Sequence, residues 1–287
     1  VLLNEKRRIN MELVNIVARD LPDAWFQCVY TALEKGKVFT IDKGSYSGKK
    51  RLEFDYVTIY IRYPGTKPLL PQIPGHYGIP NPVSNDYLDK YLPYLLTSYM
   101  EENESYTYGQ RLTKYEIPES YLARIEEDIV NCRQEPIYHI ESDLWDNEEI
   151  ISSGPRYSSP TFLNQIEYAI WRYKKSGFRN NQITLQVAHP SDMLIKDPPC
   201  LRQIDTRIQD NKLHFFVYFR SWDLWSGFPA NLASIQLLKE YMAESIGVGD
   251  GEMVASSKGL HLYDHCFDIA KVLRMKEDIL LIEGEQK

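Results

Sequence analysis

The chain has 287 residues, 43% apolar and 25% charged, with a formal net charge of −7. That composition excludes a disordered chain, and the acidic balance argues against a nucleic-acid polymer or an anionic membrane as partner, since both favour basic faces. No apolar run reaches the roughly 20 residues of a transmembrane helix, the start lacks the order of a signal peptide, and the four widely spaced cysteines read as reduced thiols in a cytoplasmic protein.

Taken in chain order, Pro22 to Lys35 predicts a helix. Trp25, Cys28, Val29, Ala32 and Leu33 recur at helical spacing between Pro22 and the stop at Gly36. The following loop, Asp42 to Arg51, mixes Gly and Ser with Lys43, Lys49, Lys50 and Arg51. It reads as a solvated basic hairpin turn, with a phosphate cradle as the alternative. Residues 53–63 predict a strand. Residues 64–84 are rich in proline and glycine and predict an extended connection, a candidate lid. Residues 86–100 and 116–132 predict helices, residues 103–111 form a polar approach to Tyr108-Gly109, and 135–160 are irregular.

In the second half, Ser159-Pro160 opens a predicted helix with Phe162, Leu163, Ile166, Ala169, Ile170 and Tyr173 on one face and Gly177 at its end. Residues 182–189 alternate as a strand. Residues 201–208 and 212–220 alternate too, about an Asp210-Asn211 hairpin turn. Asn231 to Ile246 predicts a second amphipathic helix, stopped by Gly247. A helix, a strand, a hairpin and a helix in that order imply helices on a sheet that is not purely parallel.

The hairpin carries a geometric argument. With Asp210 and Asn211 in the turn, Cys200 falls opposite Ser221 and one position from Arg220. A guanidinium there favours thiolate over thiol and also suits a phosphate. By themselves Cys28, Cys132 and Cys266 read as core thiols, and Trp222 and Trp225 as core or interface rings. His261 and His265 are four apart, but no H-E-x-x-H motif accompanies them, so no metal site is expected.

Jointly, these residues are similar to the thymidylate synthase family, its archaeal-type branch above all, over residues 155–272. The resemblance is carried by Pro198-Pro199-Cys200, by Arg220-Ser221-Trp222-Asp223-Leu224-Trp225-Ser226-Gly227-Phe228-Pro229-Ala230-Asn231, and by His261-Leu262-Tyr263. It implies an α+β fold, a large mixed β-sheet packed with helices. It implies one domain over 1–287, with a divergent N-terminal part over 1–150. The implied activity is reductive methylation of dUMP to dTMP. The one-carbon unit would come from 5,10-methylenetetrahydrofolate or a methanopterin-like carrier, in a homodimer and without a metal.

By the same resemblance Cys200 adds to carbon 6 of the uracil ring, with Asp223 and Tyr108 also in the catalytic set. Arg220 and Ser221, with Lys43 and Arg179, hold the phosphate. Asn231 pairs with the base edge, and His261 and Tyr263 bind the sugar hydroxyl. Asp223, Gly227 and Trp222 face the pterin.

The chain also departs from the family pattern. Leu201 stands where bacterial members have His, and Phe219 where Gln is usual. Arg179-Asn180 stands where two adjacent partner arginines are usual. Residues 52–100 show no counterpart of the family's glutamate or pterin-stacking tryptophan, and the C-terminal closure has none after Tyr263. Three alternatives follow: a pyrimidine nucleotide hydroxymethylase, a non-catalytic nucleotide-binding protein, and a Cys-His hydrolase using Cys200 and His261.

Overall fold

Strict alternation of exposed and buried residues makes Leu13–Ala18 a strand, β1, with Val14, Ile16 and Ala18 inward. It precedes the first predicted helix and escaped the sequence reading because it is short and half exposed. The computed structural model describes residues 10–42, 46–118 and 162–274. The predicted helix over 116–132, the irregular segment over 135–160, Lys43 and Cys132 fall wholly or largely outside these.

Helix α1 spans Leu21–Lys35, capped by Asp20, whose carboxylate accepts from the Asp23 N–H at 3.0 Å. Its Trp25 is fully buried and donates Nε1–H to the carbonyls of Leu224 (2.9 Å) and Trp225 (3.1 Å). That indole ties the N-terminal helix to the segment sequence reading had singled out. Strands β2 (Lys37–Thr40), β3 (Lys50–Glu53) and β4 (Tyr56–Ile61) follow. The strand predicted over 53–63 is β4; β3 precedes it, overlapping the end of the stretch read as a basic turn, and belongs to a different sheet.

The segment from Pro64 to Ser84 is irregular, as expected, but it is not a free lid. Leu69, Leu70, Ile73 and Val83 are buried in the core, and Ile73 N–H donates to Asn81 Oδ1 at 2.7 Å. Helix α2 covers Asn85–Leu96, capped by Ser84, and α3 covers Tyr108–Thr113, capped by Thr107. The chain needs glycine at 109, since a Cβ there would lie 2.1 Å from the Thr97 carbonyl at the end of α2.

Residues 162–163 are not helical. They form β6 (Phe162–Leu163), paired with β5 (Tyr115–Glu116), and helix α4 begins only at Gln165 and runs to Ser176. Asn164 sets that start, accepting the N–H groups of Ile166 and Glu167 on its side chain. Then come β7 (Thr184–Gln186), β8 (Leu201–Gln209), β9 (Lys212–Phe219) and β10 (Trp222–Asp223). Helix α5 (Gly227–Ile246), β11 (Gly249–Ser257) and β12 (Leu260–Tyr263) complete the elements around the site.

The main sheet has six strands in the order β1-β4-β11-β9-β8-β7, with β1/β4 and β11/β9 parallel and the other pairs antiparallel. A second sheet of four runs β10-β12-β3-β2. The fold is α+β, a mixed sheet packed with helices. The long helix α5 is buried around most of its circumference and forms the centre of the core.

One face of the main sheet is uncovered among the described residues. Val17, Tyr60, Val254, Phe216, Asp205 and Thr184 stand in one row across all six strands. Val17 and Phe216 in that row are 53% and 37% exposed. No helix of the described residues is long and apolar enough to cross a membrane.

Candidate active site

Asp210 and Asn211 turn the β8–β9 hairpin with φ of 51° and 56°, the left-handed pair that a two-residue turn requires. From there the expected register holds up to Gln203↔Tyr218. It then slips: Leu201 pairs with Phe219, leaving Arg202 as a bulge whose carbonyl accepts from Val187 and Ala188. Cys200 consequently stands opposite Arg220, not Ser221, with Arg220 N–H donating to the Cys200 carbonyl at 2.9 Å.

The Arg220 guanidinium turns back onto the loop before Cys200. Nε donates to Pro199 O at 3.1 Å, and Nη2 donates to Pro198 O and to Asp197 Oδ1 (3.3 Å). Burial pushes the half-buried Cys200 thiol up, and this outweighs the downward pull of Arg220. The expected preference for thiolate is therefore not met: Arg220 acts in the expected direction but burial outweighs it. Ser221 follows half-buried at the corner into β10.

Tyrosines surround Cys200. Tyr108 Oη accepts from Leu201 N–H at 3.2 Å, and Tyr106 Oη donates to Asp197 O at 3.2 Å. Burial raises both hydroxyls, Tyr106 to about 12. They remain protonated at neutral pH and act as hydrogen-bonding groups. Tyr91, from α2, is raised by burial and then by Tyr108, with Cys200 among the lesser causes, so the three groups lie within electrostatic reach of one another. Tyr91 Oη accepts from Asn231 Nδ2 at 2.7 Å.

Asp223 builds the start of α5, which is why that helix begins at Gly227 rather than at Asn231. Its carboxylate accepts from the N–H groups of Trp225 (3.2 Å), Ser226 (3.1 Å) and Gly227 (2.9 Å), and from Ser226 Oγ (2.7 Å). A Cβ at Gly227 would press on Asp223 Cβ at 3.2 Å. Trp222 is 2% exposed and stacks on Phe219 at 3.9 Å, so it offers a pterin no face. Its Nε1–H donates instead to Asn231 Oδ1 at 2.9 Å.

The second sheet brings up the other side. His261 is 2% exposed and its Nδ1 meets the Gly259 carbonyl at 2.8 Å. Burial lowers its pKa, so the ring is neutral, with Nδ1–H donating and Nε2 a bare acceptor. That Nε2 is buried without a partner. Glu53 faces His261 across β3 and β12, and burial raises its carboxyl against the pull of Arg51. Arg51 Nε lies 2.8 Å from Glu53 Oε2 but out of hydrogen-bond alignment, leaving both atoms buried and unsatisfied. Tyr263 stacks on Tyr46 at 4.6 Å and is pushed up to about 12, by burial first and then by Asp223. His261 is in a strand and His265 in a 3-10 turn, so helical spacing does not relate them.

The family model for thymidylate synthase matches residues 101–279, more than half of the chain. The chain belongs to the thymidylate synthase family. Two proteins named "Putative thymidylate synthase", from Methanosarcina mazei and Methanosarcina acetivorans, are each 26% identical over 256 residues, spanning 89% of this chain and 92% of their own length. Another of that name, from Methanococcoides burtonii, is 24% identical over 260 residues, 90% of this chain and 94% of its own.

Thymidylate synthases are one-carbon transferases that bind dUMP and a folate-type carrier. Of the residues the family resemblance singles out, the structure brings Tyr108, Cys200 and Arg220 together, with Ser221 next to Arg220 in the chain. Asn231 joins them through Tyr91, Gly227 donates to Asp223, and His261 and Tyr263 lie within electrostatic reach of Asp223. Arg179 is elsewhere. With Asn181, Arg207 and the hairpin turn it lines a cleft of about 510 Å³ at the far end of β8. Nine residues of strand put it roughly 30 Å from Cys200 in the same chain.

Sequence reading missed Tyr91, Arg51 and Glu53. The Tyr87–Tyr91 pair, one turn apart on a predicted helix, was the available signal for the first. Arg51 was marked only as one cation of the basic loop and nothing local marked Glu53, because their place is set by pairing with a strand some 200 residues away.

Proposed function

We propose that this protein is a thymidylate synthase, converting dUMP to dTMP. One observation carries the reading: the Cys200 nucleophile and the Asn231 amide share a single tyrosine wall, Tyr108 and Tyr91, although they come from different elements. A nucleophile and a reader of a base edge on one cleft are what addition to a pyrimidine ring requires.

In this reading Cys200 Sγ adds to carbon 6 of uracil, and the ring charge that develops toward O4 meets the free Asn231 N–H. Arg220 is already turned on the Cys200 loop and holds the phosphate with Ser221. Lys43 of the same chain and Arg179 of a second copy supplement them. His261 Nε2, buried and unpartnered, accepts the sugar hydroxyl, beside Tyr263. Tyr108 keeps the Cys200–Leu201 backbone in place.

A reduced pterin fits beside Asp223. Arg51 Nε and Glu53 Oε2 are buried there without hydrogen bonds, and Gly227 keeps the backbone open. When bound, such a carrier supplies the one-carbon unit and the reducing equivalents; 5,10-methylenetetrahydrofolate or a methanopterin-like molecule would serve. The uncovered sheet face, with Val17, Tyr60, Val254 and Phe216 in one row, supports a homodimer. A back-to-back pairing would carry Arg179 toward the other subunit's site.

The test is direct. Protein, dUMP and 5,10-methylenetetrahydrofolate are incubated and the nucleotide is identified by mass spectrometry. dTMP is expected; 5-hydroxymethyl-dUMP would replace the synthase reading with a hydroxymethylase. Tight dUMP binding with no product, also when a methanopterin-like carrier replaces the folate, would leave a nucleotide-binding protein.

A further inference from the structure

We infer that Trp222 and Tyr91 lock the Asn231 amide in the orientation that accepts uracil and rejects cytosine. The inference rests on the nucleotide reading above and deepens it. An asparagine amide offers two N–H donors and two lone pairs. Trp222 takes one lone pair, its Nε1–H lying 2.9 Å from Oδ1. Tyr91 takes one donor, its Oη lying 2.7 Å from Nδ2. What remains is one acceptor and one donor, side by side in fixed order.

The order is chemically determined. An indole N–H can only donate, so the amide oxygen must face Trp222. A half-turn about Cβ–Cγ would set N–H against N–H and leave buried groups unpaired. Uracil presents N3–H and the O4 acceptor, which match the locked order. Cytosine presents the N3 acceptor and a 4-amino donor, which match only the flipped amide.

Trp222 has no room to yield, and the half-buried Tyr91 is held by its bond to Asn231 and a stacked neighbour. Trp222 is 2% exposed, stacks flat on Phe219 (3.9 Å, 6°) and packs on Phe228 at 4.6 Å. Tyr91 stacks on Tyr87 at 6.1 Å and 14°, and burial keeps its hydroxyl protonated. The tryptophan therefore serves the base through Asn231 and not the carrier through its own face. Both are positioning residues.

The test compares dUMP and dCMP by calorimetric titration into wild type, Trp222→Phe and Tyr91→Phe. Phenylalanine at 222 keeps the stack on Phe219 and deletes the donor. Wild type should favour dUMP. Trp222→Phe should narrow the dUMP/dCMP affinity ratio by about tenfold, the worth of one net hydrogen bond, and should do so partly by gaining dCMP affinity. A purely structural role would weaken both nucleotides alike, and an unchanged ratio overturns the proposal. If Trp222→Phe fails to fold, Tyr91→Phe decides, with a narrower ratio expected and an unchanged one fatal. Should wild type bind neither nucleotide, the nucleotide reading fails, and the lock is judged on the free protein by NMR. There the Trp222 indole N–H should exchange with solvent faster in Asn231→Ala than in wild type; equal rates would remove the lock.

Discussion

Cys200 and Arg220 are cross-strand partners, joined by the Arg220 N–H to Cys200 carbonyl bond at 2.9 Å. The same arginine's guanidinium grips the carbonyls of Pro198 and Pro199. Residue 220 thus fixes the Cys200 backbone on one side and its approach loop on the other. Its charge pulls the thiol down, while burial pushes it up by more.

Cys200→Ala should abolish dTMP formation, by about a thousandfold or more, while dUMP still binds. In the wild type, alkylation of Cys200 by iodoacetamide should accelerate with pH, with a midpoint above that of a free cysteine. Arg220→Met should move that midpoint higher still, because it removes a group that favours thiolate. Peptide mapping of the alkylated residue checks both, and a midpoint lowered by Arg220→Met contradicts the assignment.

Arg220→Lys should be costly although it keeps the charge. Lysine cannot reproduce donation from Nε and Nη2 to two carbonyls while also facing a phosphate. Steady-state kinetics should show KM for dUMP raised and kcat lowered together, because both the phosphate contact and the Cys200 loop suffer. A change in KM alone would confine Arg220 to phosphate binding.

Much of this was legible in the sequence, for local reasons. The β8–β9 hairpin followed from Asp210-Asn211 between alternating runs, and α1 and α5 from apolar periodicity with capping residues. The signature residues came together because most of them flank that hairpin. What escaped was set by distant partners. The one-residue slip at Cys200 goes with the Arg202 carbonyl turning to Val187 and Ala188, just after β7, which no local pattern records. Trp222 was expected against a carrier and is buried instead, because Phe219 and Phe228 enclose it.

Lys239, fully buried in α5, should give stability a distinctive pH dependence. Its Nζ donates to the Gly251 carbonyl and lies 3.3 Å from Asp250, yet burial lowers its pKa to about 8. Lysine in the unfolded chain titrates near ~10.4. Between those values the unfolded chain holds the extra proton, so this group's contribution to stability rises as pH rises. Below the folded value both states are charged and the burial penalty stays in full. Urea unfolding at pH 7.5 and 10 should show wild type gaining on Lys239→Met by up to about 2 kcal/mol. No change in the difference between the two proteins would mean that Lys239 is better compensated than its burial implies.

Asp223 builds the start of α5 and is proposed to hold the pterin as well, and one pair of variants separates the two. Its carboxylate holds the first turn of α5 through Trp225, Ser226 and Gly227, whatever ligand is present. Asp223→Ala should therefore cost about 1–2 kcal/mol of stability, as the loss of a helix cap does. Asp223→Asn keeps one carbonyl oxygen for those N–H groups and should cost less. If the carboxylate also holds the pterin, Asp223→Asn should still lose most turnover, because an amide replaces one acceptor oxygen by a donor. Thermal unfolding measures the first effect, and dTMP formation at saturating dUMP the second. An Asn variant that keeps both its melting temperature and its turnover would reduce Asp223 to the helix start alone and leave the pterin to Arg51 and Glu53.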